Sequence, residues 1–388
     1  MKQILAITLN NLSSLPHRWG VSIVIIIGVA GVVAVLTSVL AMSTGLRSAG
    51  LNTAQDGWAI VIRKGAFAET VSTITRDSLV AVESVPGIDL DESGELAFNP
   101  HYVTSISLPR TDEFVDSSSM IVRGLTPRGL ALIDLEIIEG RMINPALREL
   151  VVGRLANSEF TGLDVGDEIL HKGVDWQITG IFTARGSAYE SELIGDITAV
   201  MSGMQSTSYS STRVQLEPGL DVEEFSERLA ADPRLKLEAK WESEYYENST
   251  SSELISIVAY VVSGIMAVGA VFGALNVMYS AVSARTREIA TLRALGFGRF
   301  PVIASVLVEA MCLALIGGAL GVLVATILYQ GSTFTSGNLT TISTIIQVTP
   351  EIATTGLVWG LVIGFIGGLT PAIGAARMNI VDGLRSDQ

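Results

Sequence analysis

The residues that could act on a partner are concentrated in one short segment, Arg285-Thr-Arg-Glu-Ile-Ala-Thr-Leu-Arg-Ala-Leu-Gly296. Arg285, Arg287 and Arg293 are permanent cations and Glu288 is a carboxylate among them. The chemistry on offer is ion pairing with another protein rather than bond making. Ile289, Leu292 and Leu295 recur every three positions, roughly one face of a helix. Gly296 is placed to end that helix. No charge lies between Glu253 and Arg285, so the segment is a charged helix set against a long apolar run.

Motifs for bond making are missing. The 388 residues contain no Gly-x4-Gly-Lys-Ser/Thr phosphate loop and no His-Glu-x-x-His. His17, His101 and His171 lie in different regions and do not form a zinc pattern. Cys312 is the one cysteine, which excludes an intramolecular disulfide and a Cys-based metal site. No serine sits in a Gly-x-Ser-x-Gly elbow. The sequence therefore predicts no enzyme, no metal and no cofactor of its own.

The elements that position the charged segment are set by hydropathy. Mean hydropathy is +0.47 and 48% of residues are hydrophobic. A bilayer crossing needs about 20 apolar residues, and four runs qualify: 21–43, 253–282, 301–330 and 351–376. The second is longer than a crossing needs, so its helix either projects beyond the bilayer or tilts within it. A cleaved signal peptide is a minor alternative for the first run. Residues 1–20, with Leu5, Leu9 and Leu12 on one helical face, predict an amphipathic helix at the cytoplasmic interface.

Charge sets the orientation. Residues 44–252 hold 17 of the 25 Lys and Arg but 33 of the 39 Asp and Glu, so the formal charge of −14 belongs to this insert. Phosphate would repel such a domain, which argues against nucleic acid. Lys2, Arg18, the arginines at 285–299, Arg377 and Arg385 lie in the short loops, whereas 331–350 has neither Lys nor Arg. The positive-inside rule places both termini, the 283–300 segment and the 377–388 tail in the cytoplasm. The acidic domain 44–252 and the 331–350 loop then lie outside.

The outer domain reads as α+β. Strands are predicted at 58–63, 98–108, 212–216 and 235–241, with helices from Arg76 and from Asp221. These two β-α-β units flank a strand-rich middle of about 115–205, in which 165–170 and 176–182 form a hairpin around His171-Lys-Gly173. The fold class predicted is four transmembrane helices plus a large α+β extracytoplasmic domain, a split β-α-β subdomain with a β-rich subdomain inserted. Residues 242–253 contain no breaker and read as a polar helical stalk entering the second span.

Small residues recur within the spans. Gly356, Gly360, Gly364 and Gly368 stand four apart, as do Gly317 and Gly321, and Gly269 and Gly273. Such spacing lets helix backbones approach, within one subunit or across a dimer. Glu309 is a carboxylate inside the third span. It is either part of a polar pathway or an interfacial group paired with a nearby arginine.

These pieces resemble the FtsX/MacB-like permease subunits of ABC transporters, the mechanotransmission (type VII) group. The family segment Arg-x-x-Glu-Ile-x-x-Leu-Arg-Ala-Leu-Gly matches Arg285, Glu288, Ile289, Leu292, Arg293, Ala294, Leu295 and Gly296. Glu309, Gly317-Gly318, Pro371-Ala-Ile-Gly-Ala-Ala376 and Val381-Asp-Gly-Leu-Arg385 also match, except that Ile380 stands where the family has proline. So does the outer run Glu149-Leu-Val-Val-Gly153, Val165-Gly-Asp167, Gly180-Ile-Phe182 and Gly186-Ser-Ala-Tyr-Glu-Ser-Glu192. The resemblance implies a bacterial inner-membrane homodimer and a separate ATPase subunit that binds ATP and Mg and docks on 285–296. It also implies a periplasmic membrane-fusion (adaptor) partner and export or extraction of an amphiphilic peptide, lipid, lipoprotein or drug. The alternative it leaves open is an FtsX-like signalling scaffold that activates a cell-wall hydrolase.

Overall fold

The computed structural model describes residues 19–111, 117–232, 234–249, 252–284, 286–296, 298–336 and 342–377. The predicted amphipathic helix at 1–20 falls almost wholly outside them, as do Arg285 and the tail motif at 381–385. The chain forms two compact units. One comprises 1–43, 254–332 and 346–388, the other 44–253 and 333–345.

The first unit is helical. Its long helices are α1 (Trp19–Thr53), which continues into the second unit, α8 (Ser252–Ala284), α10 (Arg299–Tyr329) and α11 (Pro350–Arg377). All four are long and apolar enough to cross a membrane. The short α9 (Thr286–Ala294) lies between α8 and α10 in the chain. Their shared core takes Val29 and Val33 from α1, Met278 from α8, Val306 and Ala310 from α10, and Ala372 from α11. Outward residues such as Ile265, Phe272 and Ile327 are exposed and apolar, as lipid contact requires.

Both α1, with 35 residues, and α8, with 33, exceed a bilayer crossing. The sequence marked only the second as overlong. Arg47 ends the uncharged run of the first span, but the helix continues to Thr53 because Leu46, Ala49 and Thr53 are buried.

The second unit is built on one sheet of ten strands. The strands are β1 (Trp58–Arg63), β2 (Phe98–Leu108), β3 (Ser118–Leu125), β4 (Glu136–Gly140), β5 (Glu149–Gly153), β6 (Glu168–His171), β7 (Val174–Thr183), β8 (Glu192–Asp196), β9 (Ser211–Gln215) and β10 (Leu237–Trp241). Their order is β10-β1-β9-β2-β3-β8-β5-β7-β4, with β6 also on β7. The expected split is present: β1, β2, β9 and β10 come from the two ends of the insert, and β3 to β8 from its middle. The two halves share the sheet because β2 pairs with β9 on one side and, antiparallel from His101↔Leu125 to Leu108↔Ser118, with β3 on the other.

Local chemistry explains the elements. β5 (Glu-Leu-Val-Val-Gly) is buried at every position, as an interior strand covered on both faces must be. Thr75, Thr126, Asp196 and Asp221 accept backbone hydrogen bonds at the starts of α2 (Arg76–Glu83), α3 (Pro127–Ala131), α5 (Ile197–Gly203) and α6 (Val222–Ala230), while α4 (Arg154–Glu159) follows β5 directly. Phe225 and Leu229 of α6 pack with Val61 and Val214 beneath one half of the sheet. Trp176, Phe160 and Val152 fill the other half.

Two regions depart from their sequence reading. The 331–350 loop holds a two-stranded antiparallel ribbon, β11 (Thr333–Ser336) with β12 (Ile342–Ile345). The expected polar stalk begins as α7 (Glu242–Ser249), in which Glu242, Tyr245 and Tyr246 are buried. Those three residues lie three and four apart, so one face of a polar-looking helix packs into the domain.

Candidate functional site

The charged segment forms α9, and its two faces differ. Ile289 and Ala290 are buried, and Ile289 joins the helix core with Val282 and Val302. Arg287, Glu288 and Thr291 are exposed, Arg293 is half-buried, and Leu295 is 73% exposed. Ile289 is thus an anchor of α9 within its own unit, not part of an open docking face. A spacing of three drifts about 60° per step on a helix, so Leu295 falls far round from Ile289. Gly296 ends the helix with φ +95°, a conformation that favours glycine. Beyond it, Arg299 and Phe300 are exposed at the start of α10. Arg285 and the Leu292 side chain are outside the described residues.

The glycine series of α11 lies within the subunit. A Cβ on Gly364 would stand 2.3 Å from Ala314 Cβ, and one on Gly368 2.6 Å from Ala310 Cβ, both on α10. One on Gly356 would meet Thr37 Oγ1 of α1 at 2.7 Å, and one on Gly360 would touch Val29 and Val33 at 3.4 Å. On the other side of α10, Gly317 and Gly321 would meet the Ile26 and Ala30 carbonyl oxygens of α1 at 2.7 and 2.6 Å. Helices α1, α10 and α11 therefore touch backbone to backbone. Gly269 and Gly273 of α8 have nothing within 4 Å. Glu309 is buried in α10 beside the core residues Val306 and Ala310.

Sequence reading missed a buried polar network in the outer domain. Arg123 of β3 holds two carboxylates. Its Nε donates to Glu192 Oε2 at 2.6 Å and its Nη2 to Glu69 Oε2 at 2.9 Å. Arg123 Nη1 lies 3.2 Å from His101 Nδ1. A guanidinium only donates, so Nδ1 is the acceptor and the ring is neutral. Burial, reinforced by the Arg123 charge, pushes His101 down to about 4. Burial alone would raise Glu69, but the Arg123 charge and hydrogen bonds outweigh it and hold the carboxyl well below its usual range. Glu192 is pushed up by burial and by the Glu69 charge against the pull of Arg123, as two carboxylates sharing one cation must divide its benefit.

Arg213 of β9 forms the second centre. It pairs through Nε and Nη2 with Glu242, donates from Nη1 to Tyr189 Oη at 3.2 Å, and lies 5.4 Å from the Trp58 ring centroid. Glu242 also accepts the Gln55 backbone N–H at 3.0 Å. Gln55 follows α1, and Glu242 opens the helix that precedes α8, so the two entry points of the insert are bonded to each other. Outside, Arg47 and Glu247 pair at 2.9 Å. Two basic residues inside strands, each with an acidic residue far away in the chain, are the signal that could have revealed these pairs.

Four apolar helices, a short charged helix between two of them in the chain and a large α/β domain define a multi-pass membrane protein. Residues 22–232 match the MacB-like periplasmic core domain and residues 260–380 the FtsX-like permease C-terminal domain. The chain belongs to the MacB/FtsX-type family of ABC transporter permeases. It is 23% identical to an uncharacterized ABC transporter permease of Methanocaldococcus jannaschii over 58% of each chain. It is 33% identical to the macrolide export ATP-binding/permease protein MacB of Nitrobacter winogradskyi, over 36% of this chain and 20% of that one. It is 23% identical to the uncharacterized ABC transporter permease YvrN of Bacillus subtilis over 93% of both. The chain thus spans little more than half the length of the archaeal relative and about a fifth of the MacB protein.

Proposed function

We propose that this chain is the permease subunit of an ABC transporter in which a partner ATPase, binding ATP and Mg, drives motion of the outer domain. The observation that carries the reading is the form of α9. Ile289 and Ala290 fix it to the helix core while Arg287 and Glu288 stand exposed. A push on its charged face is delivered to the packed helices rather than absorbed by a loose loop. These 388 residues contain no phosphate loop, and on this reading ATP is hydrolysed by the partner.

On this reading two permease copies assemble in the bacterial inner membrane with both termini in the cytoplasm. The outer domain moves an amphiphilic peptide, lipid, lipoprotein or drug together with a membrane-fusion adaptor. An outer domain of some 209 residues in two halves favours an exporter over a hydrolase-activating scaffold. Glu288→Arg tests the reading. The ATPase that co-purifies with the wild-type chain from native membranes should lose at least tenfold in retention, or keep hydrolysing without substrate movement. Unchanged retention with unchanged coupling would refute it.

A further inference from the structure

The outer domain has three chain connections to the long helices: α1 runs directly into it, α7 precedes α8, and the β11–β12 ribbon lies between α10 and α11. Two of them bond directly to a single buried turn, and the third reaches it through Arg213. Residues Ala188–Ser191 form one turn of 3-10 helix, and each of the four is buried. The Ala188 N–H donates to Thr53 Oγ1, the last residue of α1, at 2.8 Å. Tyr189 Oη accepts from Arg213, which holds Glu242 at the start of α7. Ser191 Oγ donates to the Ser343 carbonyl of β12 at 3.1 Å and accepts the Ser343 N–H at 2.8 Å. One hydroxyl thus clamps both backbone groups of the ribbon residue.

The turn is itself braced. Glu190 Oε1 accepts from Thr183 Oγ1 at 2.6 Å, the Ala184 N–H at 2.8 Å and the Gly186 N–H at 2.9 Å, and its Oε2 accepts from Arg154 at 3.1 Å. Glu192, the next residue, carries the turn into β8 and to Arg123. Fold stability alone does not require this convergence, since each connection could be satisfied at a different place on so large a sheet.

We infer that the 186–192 turn is a coupling node, which makes the three connections yield or hold together. Its use in a transport stroke rests on the permease reading. The coupling itself does not, and it is measured without ATPase or substrate. The experiment is single-amide hydrogen exchange on the full chain in lipid nanodiscs, comparing wild type with Ser191→Ala. A lost hydrogen bond of about 1 kcal/mol corresponds to roughly fivefold faster opening. Exchange at Ser343, which loses both its bonds to the hydroxyl, should rise about ten- to a hundredfold, the range expected for two such bonds. The Ala188 and Gln55 amides, which report on α1 and α7, should rise with it, while Val151 and Val152 of β5 stay unchanged. Thr53→Val, which removes the hydroxyl acceptor, should raise exchange at Ser343 in return, and Thr53→Ser should restore it. A rise that omits either Ala188 or Gln55 means that the connections are independent and overturns the inference. So does a uniform rise that includes β5, which would make Ser191 a general support of the fold.

Discussion

Gly153 and Glu190 approach so closely that a Cβ at position 153 would stand 2.2 Å from the Glu190 carbonyl oxygen. Gly153 has φ −64° and ends β5, so any L residue could adopt its backbone. The constraint is space: the strand end packs directly on the 3-10 turn that joins the three connections.

Gly153→Ala should therefore destabilise the outer domain by about 1–3 kcal/mol, the cost of overpacking where backbone has to shift. Thermal melting of the full chain followed by tryptophan fluorescence reads this. A change within about 0.5 kcal/mol, normal for a surface site, would show that the turn can move away freely.

The helix glycines predict a contrast. Gly364→Ala and Gly368→Ala place methyl groups 2.3 and 2.6 Å from Ala314 and Ala310, and each should cost about 1–3 kcal/mol. Gly269→Ala and Gly273→Ala meet nothing within 4 Å and should leave the melting temperature of the solubilised monomer unchanged or raise it, since alanine favours a helix by up to about 1 kcal/mol. Equal effects in the two pairs would contradict the packing described.

What sequence could reveal depended on the range of the interactions. The spans were legible because each is one uncharged run, and β5 because five successive residues are buried on both faces. The β-α-β halves were legible from local alternation and caps such as Asp221. The union of the halves in one sheet was not, because β2 and β3 are joined across residues whose own pattern names no partner. Glu242 was misread because a glutamate beside Ser243 and Glu244 looks solvated, and its partner Arg213 lies 29 positions earlier. The β11–β12 ribbon was hidden because serine and threonine alternate there without charge. Its anchor Ser191 is 152 positions away. In α9 the residue types were legible but the buried and open faces were not, since Ile289 and Leu295 are equally apolar and only packing separates them.

The buried histidine sets a pH dependence. His101 is held at about 4, below its ordinary 6.5, so the folded state favours the neutral ring. A base whose folded pKa is depressed stabilises the fold above its unfolded pKa and loses that contribution as pH falls. Between pH 6.5 and about 4 the outer domain should lose up to about 1.4 kcal/mol per unit on account of this residue. His171 shifts in the same direction and Glu192 in the opposite one, so the comparison with His101→Gln isolates the effect. That variant should show a flatter stability profile over this window. An unchanged slope would mean that the His101 ring takes up its proton equally in the folded and unfolded chain.

The Arg213–Glu242 pair predicts non-additivity. Arg213 is 1% exposed and Glu242 0%, so removing either leaves a charge stranded in the interior. Each single replacement, Arg213→Met or Glu242→Leu, should cost about 3–5 kcal/mol. In the double variant no stranded charge remains. Packing volume is largely kept, and the residual losses are the Gln55 N–H and Tyr189 hydroxyl contacts, each about 1 kcal/mol. The double variant should therefore melt above at least one of the singles, giving a coupling energy of several kcal/mol in a double-mutant cycle. Because Glu242 also bonds Gln55 at the end of α1, Glu242→Leu, which removes the acceptor itself, should in addition speed exchange at the Gln55 amide more than Arg213→Met, which only frees that acceptor. Additive losses, or equal exchange at Gln55 in the two singles, would show that the pair neither buries its charges nor ties the two entry points together.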